Sequence, residues 1–237
     1  MLERFARRAA LLAGLALVPL AGTLPAATLL VQPIQLCDDG GANCANNGRT
    51  LYEAETDLIW SQAGIDVQFF NWVTLNSSAL LDIGSAAEFN SLFSDPVADP
   101  RDNVVSMFFV ATSNQCGGTV SGTLFGCAYT PGNRLFITDA VFSFNSGIGR
   151  RDTIAHELGH NLGLPHRSDN AADFLMTSGS FRSVPTGVAD IVPNGAGLSK
   201  LSADEIATAR ASDLLTPEPS TMLLSMFGFA FALWRRR

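Results

Sequence analysis

The chain has 237 residues, 47% of them apolar, and a formal charge of −7 from 15 basic and 22 acidic side chains. That acidity argues against nucleic acid or an anionic membrane surface as a partner. The length, with no internal repeat and no long low-complexity linker, suits one domain around one core once the two ends are set aside.

The N-terminal stretch MLERFARRAALLAGLALVPLAGTLPAA holds Arg4, Arg7 and Arg8, then an apolar run from Ala9 to Leu20, then the small residues Ala26 and Ala27. It reads as a secretory signal peptide (residues 1–27) cut after Ala27, with a retained anchor helix as the alternative. TLLVQPIQL (residues 28–36) reads as a strand. TLYEAETDLIWSQAG (residues 50–64) places Leu51, Ala54 and Leu58 at helical spacing and ends on Gly64. IDVQFFNWV follows as a strand. Ser85 with Glu88 forms a capping box for a short helix through Phe93. NVVSMFFVAT (residues 103–112) and RLFIT (residues 134–138) are apolar strands flanking a loop.

Four cysteines, Cys37, Cys44, Cys116 and Cys127, come as two local pairs in an exported protein, where disulfides persist. Three connectivities are open. The pairing Cys37–Cys44 with Cys116–Cys127 is preferred because each bond closes a short Gly/Asn-rich loop. The acidic residues Asp38, Asp39, Asp99 and Asp102 lie in loops. Calcium there is conceivable but unsupported, since no EF-hand-like spacing occurs.

The chemistry concentrates in HELGHNLGLPH, residues 156–166, which contains all three histidines of the chain. On a helix beginning near Arg151, His156 and His160 are four apart and share a face. Glu157 stands about 100° further around the axis and flanks rather than ligates a metal. Gly163 can end the helix at positive φ, and Pro165 cannot continue it. The chain can then return His166 to the same ion. Three neutral imidazoles leave one zinc position open for water, as in catalytic sites; structural sites close all four. Zinc lowers the pKa of bound water to about 7, and Glu157 is placed to take its proton and pass it to a leaving amine. The chemistry is amide hydrolysis.

HELGHNLGLPH resembles the long zinc signature HExxHxxGxxH of the metzincin clan of metallopeptidases. The resemblance implies His156, His160 and His166 as zinc ligands and Glu157 as general base. It also implies Met176, in DFLMTSG, as the methionine of a tight turn beneath the metal. No tyrosine follows Met176 closely, so a fifth, tyrosine ligand is not expected. The implied fold is α+β: a mixed twisted sheet with two long helices as an upper subdomain (residues 28–163) and a small irregular lower subdomain (residues 164–216) ending in a helix. Ser202 and Glu205 cap that last helix, LSADEIATARAS. By analogy with metzincins, TVSGTLFG (residues 119–126) stands where substrate pairs antiparallel to an edge strand, with Gly122 and Gly126 allowing close backbone approach. A further metzincin device is a free cysteine that caps the zinc, a role open to Cys37 only if unpaired.

The C-terminal TPEPSTMLLSMFGFAFALWRRR holds Pro217, Glu218 and Pro219, then fourteen apolar-rich residues from Thr221 to Trp234, then Arg235 to Arg237. Fourteen is short for a spanning helix, which needs about 20, and the arginines would stay cytoplasmic. The order resembles the PEP-CTERM sorting signal of Gram-negative bacteria (residues 217–237). It implies processing by a membrane-embedded exosortase after a transient stay of the C-terminal helix in the inner membrane. Between the two ends 9 basic residues face 20 acidic ones, a charge of −11.

These readings predict an exported zinc endopeptidase acting on protein or peptide substrates. The destination would be the cell surface, the extracellular matrix or the medium. Two other functions stay open: hydrolysis of peptidoglycan-type amides, and a catalytically silent surface or matrix-binding module. Retention of Glu157 speaks against the last, because a binding module needs no general base.

Overall fold

The computed structural model describes residues 27–217. Residues 1–26 of the expected signal peptide, Glu218, Pro219 and the apolar C-terminal stretch lie outside the described residues, while Ala27, expected as the last residue of that peptide, is buried as the first residue of the sheet's opening strand. No helix among the described residues is long and apolar enough to cross a membrane.

The chain opens with strand β1 (Ala27–Cys37) and helix α1 (Glu53–Ser61), followed by β2 (Ile65–Phe69) and β3 (Val73–Asn76). Helix α2 (Ser78–Leu81), β4 (Asp82–Ile83) and helix α3 (Ala86–Phe93) come next. Then come β5 (Val104–Val110), β6 (Thr112–Ser113), β7 (Gly126–Ala128) and β8 (Arg134–Thr138). The remainder holds α4 (Ala140–Gly147), α5 (Thr153–Asn161), α6 (Ala203–Arg210) and β9 (Thr216–Pro217). The architecture is the expected α+β arrangement around one mixed sheet, ordered β2-β1-β5-β8-β7. Strands β2, β1, β5 and β8 run parallel, and β7 closes the edge antiparallel to β8.

Residues 65–73, expected as one strand, divide in two. β2 pairs β1 through Val31, and β3 resumes the pairing at Ile34. Between them β1 carries Pro33, which has no N–H to offer a neighbour. The chain leaves the ladder there, and Gln32 Nε2 donates to the Asn71 carbonyl at 2.7 Å instead. Helix α4 was not expected. Phe144, Asn145 and Ser146 interrupt it with non-helical backbone, so its periodicity is short. β9 was not expected either; two residues, antiparallel to Ala27 and Thr28, carry no pattern. It places Pro217 of the proline-glutamate-proline triplet beside the first residue of β1.

The sheet is buried on both faces. All seven residues of β5 are buried, so its sequence reads as a continuous apolar run, with side chains alternating between two cores. Val105, Met107 and Phe109 join Leu135 and Ile137 of β8 against Trp60 of α1 and Leu158 of α5. Phe108, Val110 and Phe136 point the other way, against Phe89, Leu92 and Phe93 of α3. The capping box of α3 forms as its sequence predicts, with Glu88 N donating to Ser85 Oγ and Ser85 N to Glu88 Oε2. Ser202 and Glu205 form the same pair at α6.

Candidate metal centre

Helix α5 lies on the first of these cores, with Ile154, Ala155, Leu158 and Leu162 buried against the sheet. An apolar stripe at that spacing fixes the rotation of the helix about its axis. The rotation leaves His156, Glu157 and His160 lining a cleft of about 810 Å³. Gly163, at φ +92°, turns the chain sharply off the helix, as its position predicts. Pro165 and His166 then fold back over the cleft.

The three histidines come together. His166 Nε2 lies 3.1 Å from His156 Nε2 and 3.2 Å from His160 Nε2. Their ligand atoms all fall within 4.8 Å of one another. The protonation of the rings follows from their other nitrogens. His156 Nδ1–H donates to the Leu175 carbonyl and His160 Nδ1–H to the Leu164 carbonyl, both at 2.7 Å. A carbonyl only accepts, so the proton sits on Nδ1 and Nε2 keeps a lone pair. Burial disfavours the charged form, holding His156 well below the usual histidine range and His160 down to about 4. His166, though exposed, is lowered for the same reason.

The lone pairs of His156 and His160 therefore converge on His166 Nε2, and three neutral ring nitrogens gathered at one point form a ligand set for a cation. The fit to zinc is direct. Tetrahedral Zn–N bonds of about 2.0–2.1 Å set nitrogens roughly 3.3 Å apart, close to the two separations found. The carbonyl partners on Nδ1 of His156 and His160 would orient those rings toward an ion held there.

Glu157 is buried. Burial pushes its carboxyl up to about 8, against the opposing pull of Arg182 and Arg150. Its side chain lies over the edge strand β7: a Cβ built on Gly126 would fall 2.8 Å from Glu157 Cγ. Met176 is fully buried under α5. A Cβ on Gly159 would lie 2.5 Å from its sulfur, so Met176 packs against the helix at the residue before His160.

Sequence reasoning missed the groups behind His156. Asp152 precedes α5 at the N-cap position, yet its carboxylate caps nothing in the helix. It pairs instead with Arg182, whose Nε donates to Oδ2 at 2.7 Å, with side-chain exposures of 2% for Arg182 and 0% for Asp152. Arg182 Nη1 donates to the Leu175 and Thr177 carbonyls at 3.2 and 3.0 Å. It also lies 2.6 Å from His156 Nδ1. Since its protons have those carbonyls to go to, the ring keeps its own. The ion pair thus joins the start of α5 to the segment after Met176. Arg150, also buried, donates Nη2 to the Gly179 carbonyl at 2.9 Å across the same cleft. A sequence signal existed in Asp152, but an Asp before a helix reads first as a cap.

The substrate segment differs from expectation. Residues 119–125 form no strand; the edge strand is β7, Gly126–Ala128, and among the described residues its outer side pairs with no strand. Gly122 sits at φ +91° with nothing within 4 Å of its Cβ position, a turn rather than a point of close approach. The tight turn interrupts pairing, and Leu124 and Phe125 line the cleft from an irregular loop. Cys116 and Cys127 are disulfide-bonded at the base of that loop, and Cys37 is bonded to Cys44. A sulfur held in a disulfide is not available to cap a metal, which removes that role from Cys37. Asp38, Asp39 and Asp99 use their oxygens within the fold, Asp99 in an ion pair with Arg101 at 2.7 Å. Calcium finds no support there.

Two families match the chain. Residues 53–167 match the family described as Metallo-peptidase family M12B Reprolysin-like. Residues 215–237 match the PEP-CTERM protein-sorting motif. No curated protein matches. Among solved structures similar to the chain is metalloproteinase-II from Bacteroides fragilis, 19% identical, covering 81% of this chain and 54% of that one at a TM-score of 0.41. An archaemetzincin from Methanopyrus kandleri is 15% identical, covering 76% and 93% at 0.45. A structure described as a chaperone–substrate complex is 13% identical, covering 79% and 34% at 0.49. The chain spans about half the length of the first of these.

Proposed function

From the match of residues 53–167 to the reprolysin-like metallopeptidase family and of residues 215–237 to the PEP-CTERM sorting motif, we propose that this chain is an exported zinc endopeptidase. The observation that supports it most is the convergence of three neutral ring nitrogens beside one buried carboxylate.

His156, His160 and His166 would hold the ion. Zinc bound there supplies Lewis-acid chemistry: it polarises a carbonyl and makes water a better acid. Glu157 accepts the proton of the attacking water and delivers it to the departing amine nitrogen. Burial raises its proton affinity in the metal-free protein, and a zinc ion bound beside it would favour the ionised form that accepts a proton. The Leu175 and Leu164 carbonyls hold the two helix imidazoles in one tautomer and one orientation. An extended peptide adds to the open edge of β7, its backbone paired there and its side chains in the cleft. Met176 forms the apolar floor under the ligands.

The catalytic domain runs over residues 28–216, with a division at 163/164 where Gly163 turns the chain. Residues 1–27 direct export. Pro217, Glu218 and Pro219 present the chain to an exosortase-type enzyme, which releases or re-anchors it at the surface or in the extracellular matrix.

The test is the purified mature chain against a mixed peptide library and, separately, against purified peptidoglycan, with products read by mass spectrometry. Internal cleavage by the wild type, with Glu157→Gln retaining zinc but losing about 10²–10⁴-fold in rate, supports the reading. Wild-type turnover in that variant, or products confined to peptidoglycan-type amides, would overturn it.

A further inference from the structure

We propose that Arg150 is the specificity-determining residue of the cleft and that it selects substrates carrying an acidic side chain, Asp or Glu, beside the scissile bond. The inference rests on the peptidase reading and names the substrate class of the same site.

Two buried guanidinium groups line the cleft, Arg150 at 3% and Arg182 at 7% exposure. Their surroundings differ. Arg182 is compensated by Asp152 and by two carbonyls. Arg150 has no carboxylate within ion-pair distance among the described residues, and one hydrogen bond, from Nη2 to Gly179 O. A guanidinium has five N–H donors in a rigid fork. Most of those of Arg150 have no protein acceptor, and none of its nitrogens is both fully buried and unpaired, so the free donors face the cleft.

The group is also held in place. Its Cζ lies 4.7 Å from the ring centre of Phe125 and 5.5 Å from that of Phe144. Aromatic contact of this kind fixes the plane of a guanidinium and leaves its edge free to meet a carboxylate through two hydrogen bonds. Neither acid near the helix start is available: Asp152 is spent on Arg182, and Glu157 is assigned to the chemistry. The remaining acceptor must come with the ligand. Arg150 stands three residues before α5 while His160 and His166 lie toward its other end, so a carboxylate on Arg150 reaches along the cleft past Glu157. An amide or aliphatic side chain bound there would displace water from the cation without offering it a carboxylate partner, and a basic one would repel it.

The experiment uses the zinc-loaded mature chain and peptides that differ only by Asp against Asn, or Glu against Gln, at each position around a cleaved bond. At one position the acid should raise kcat/KM by at least about 10-fold, chiefly through KM. Arg150→Gln, checked for zinc content, should reduce that ratio to near one. The wild-type ratio stands even if the variant does not fold. A ratio near one at every position in the wild type overturns the inference and leaves the peptidase reading intact. An undiminished ratio in folded Arg150→Gln does the same. No cleavage of any peptide overturns both.

Discussion

Gly126 and Glu157 approach so closely that no side chain fits between them: a Cβ at position 126 would fall 2.8 Å from Glu157 Cγ and 3.0 Å from Cδ. The first residue of the edge strand thereby sets the position of the proposed base. Gly126 does not adopt positive φ, so backbone strain does not require glycine there; space does.

Gly126→Ala should therefore displace Glu157 while leaving the histidines alone. A misplacement of about 1 Å typically costs about 10²-fold, and the loss should fall on kcat with zinc content unchanged. Steady-state kinetics with metal analysis decides it. Unaltered kcat in the alanine variant would show that strand and base are not coupled.

The Asp152–Arg182 pair predicts an asymmetry. Arg182→Met alone leaves a fully buried carboxylate without its partner and should cost about 3–5 kcal/mol. Arg182→Met with Asp152→Leu should recover most of that stability, because a buried pair replaced by apolar groups of similar size is often close to neutral. Denaturant midpoints of the two variants provide the comparison. Equal destabilisation in single and double variants contradicts the account.

The metal-free protein should be most stable near pH 6.5. Below 6.5 the unfolded chain protonates its histidines, whereas burial keeps His160 neutral down to about 4 and lowers His156 and His166 as well, so the unfolded state binds more protons and stability falls as pH falls. Glu157 acts in the opposite sense. Its folded carboxyl titrates at about 8, so from 6.5 upward the folded state holds the extra proton and stability falls as pH rises. Urea midpoints across pH 4.5–8.5 on chelated protein test this; a midpoint rising steadily from 6.5 to 8.5 would show that Glu157 is not held protonated by burial.

The parts legible in sequence were those specified by neighbours along the chain. The spacing of His156, His160, Gly163 and His166 encodes helix, turn and return within eleven residues. Ser85 with Glu88 and Ser202 with Glu205 encode their own caps, and RLFIT encodes β8 from Arg134 to Thr138. What stayed hidden depends on contacts between distant segments. Asp152 and Arg182 are thirty residues apart, and neither neighbourhood indicates burial. The break between β2 and β3 depends on Pro33 in another strand. The edge strand is three residues long, and the loop before it is apolar enough to imitate a strand.

The most direct test of the central claim is peptide cleavage by the mature chain before chelation, after chelation and after return of one equivalent of zinc. The account predicts activity that disappears with the metal and returns in full at one zinc per chain. Cleavage that persists in metal-free protein, or that fails to return while zinc binds through His156, His160 and His166, would contradict it.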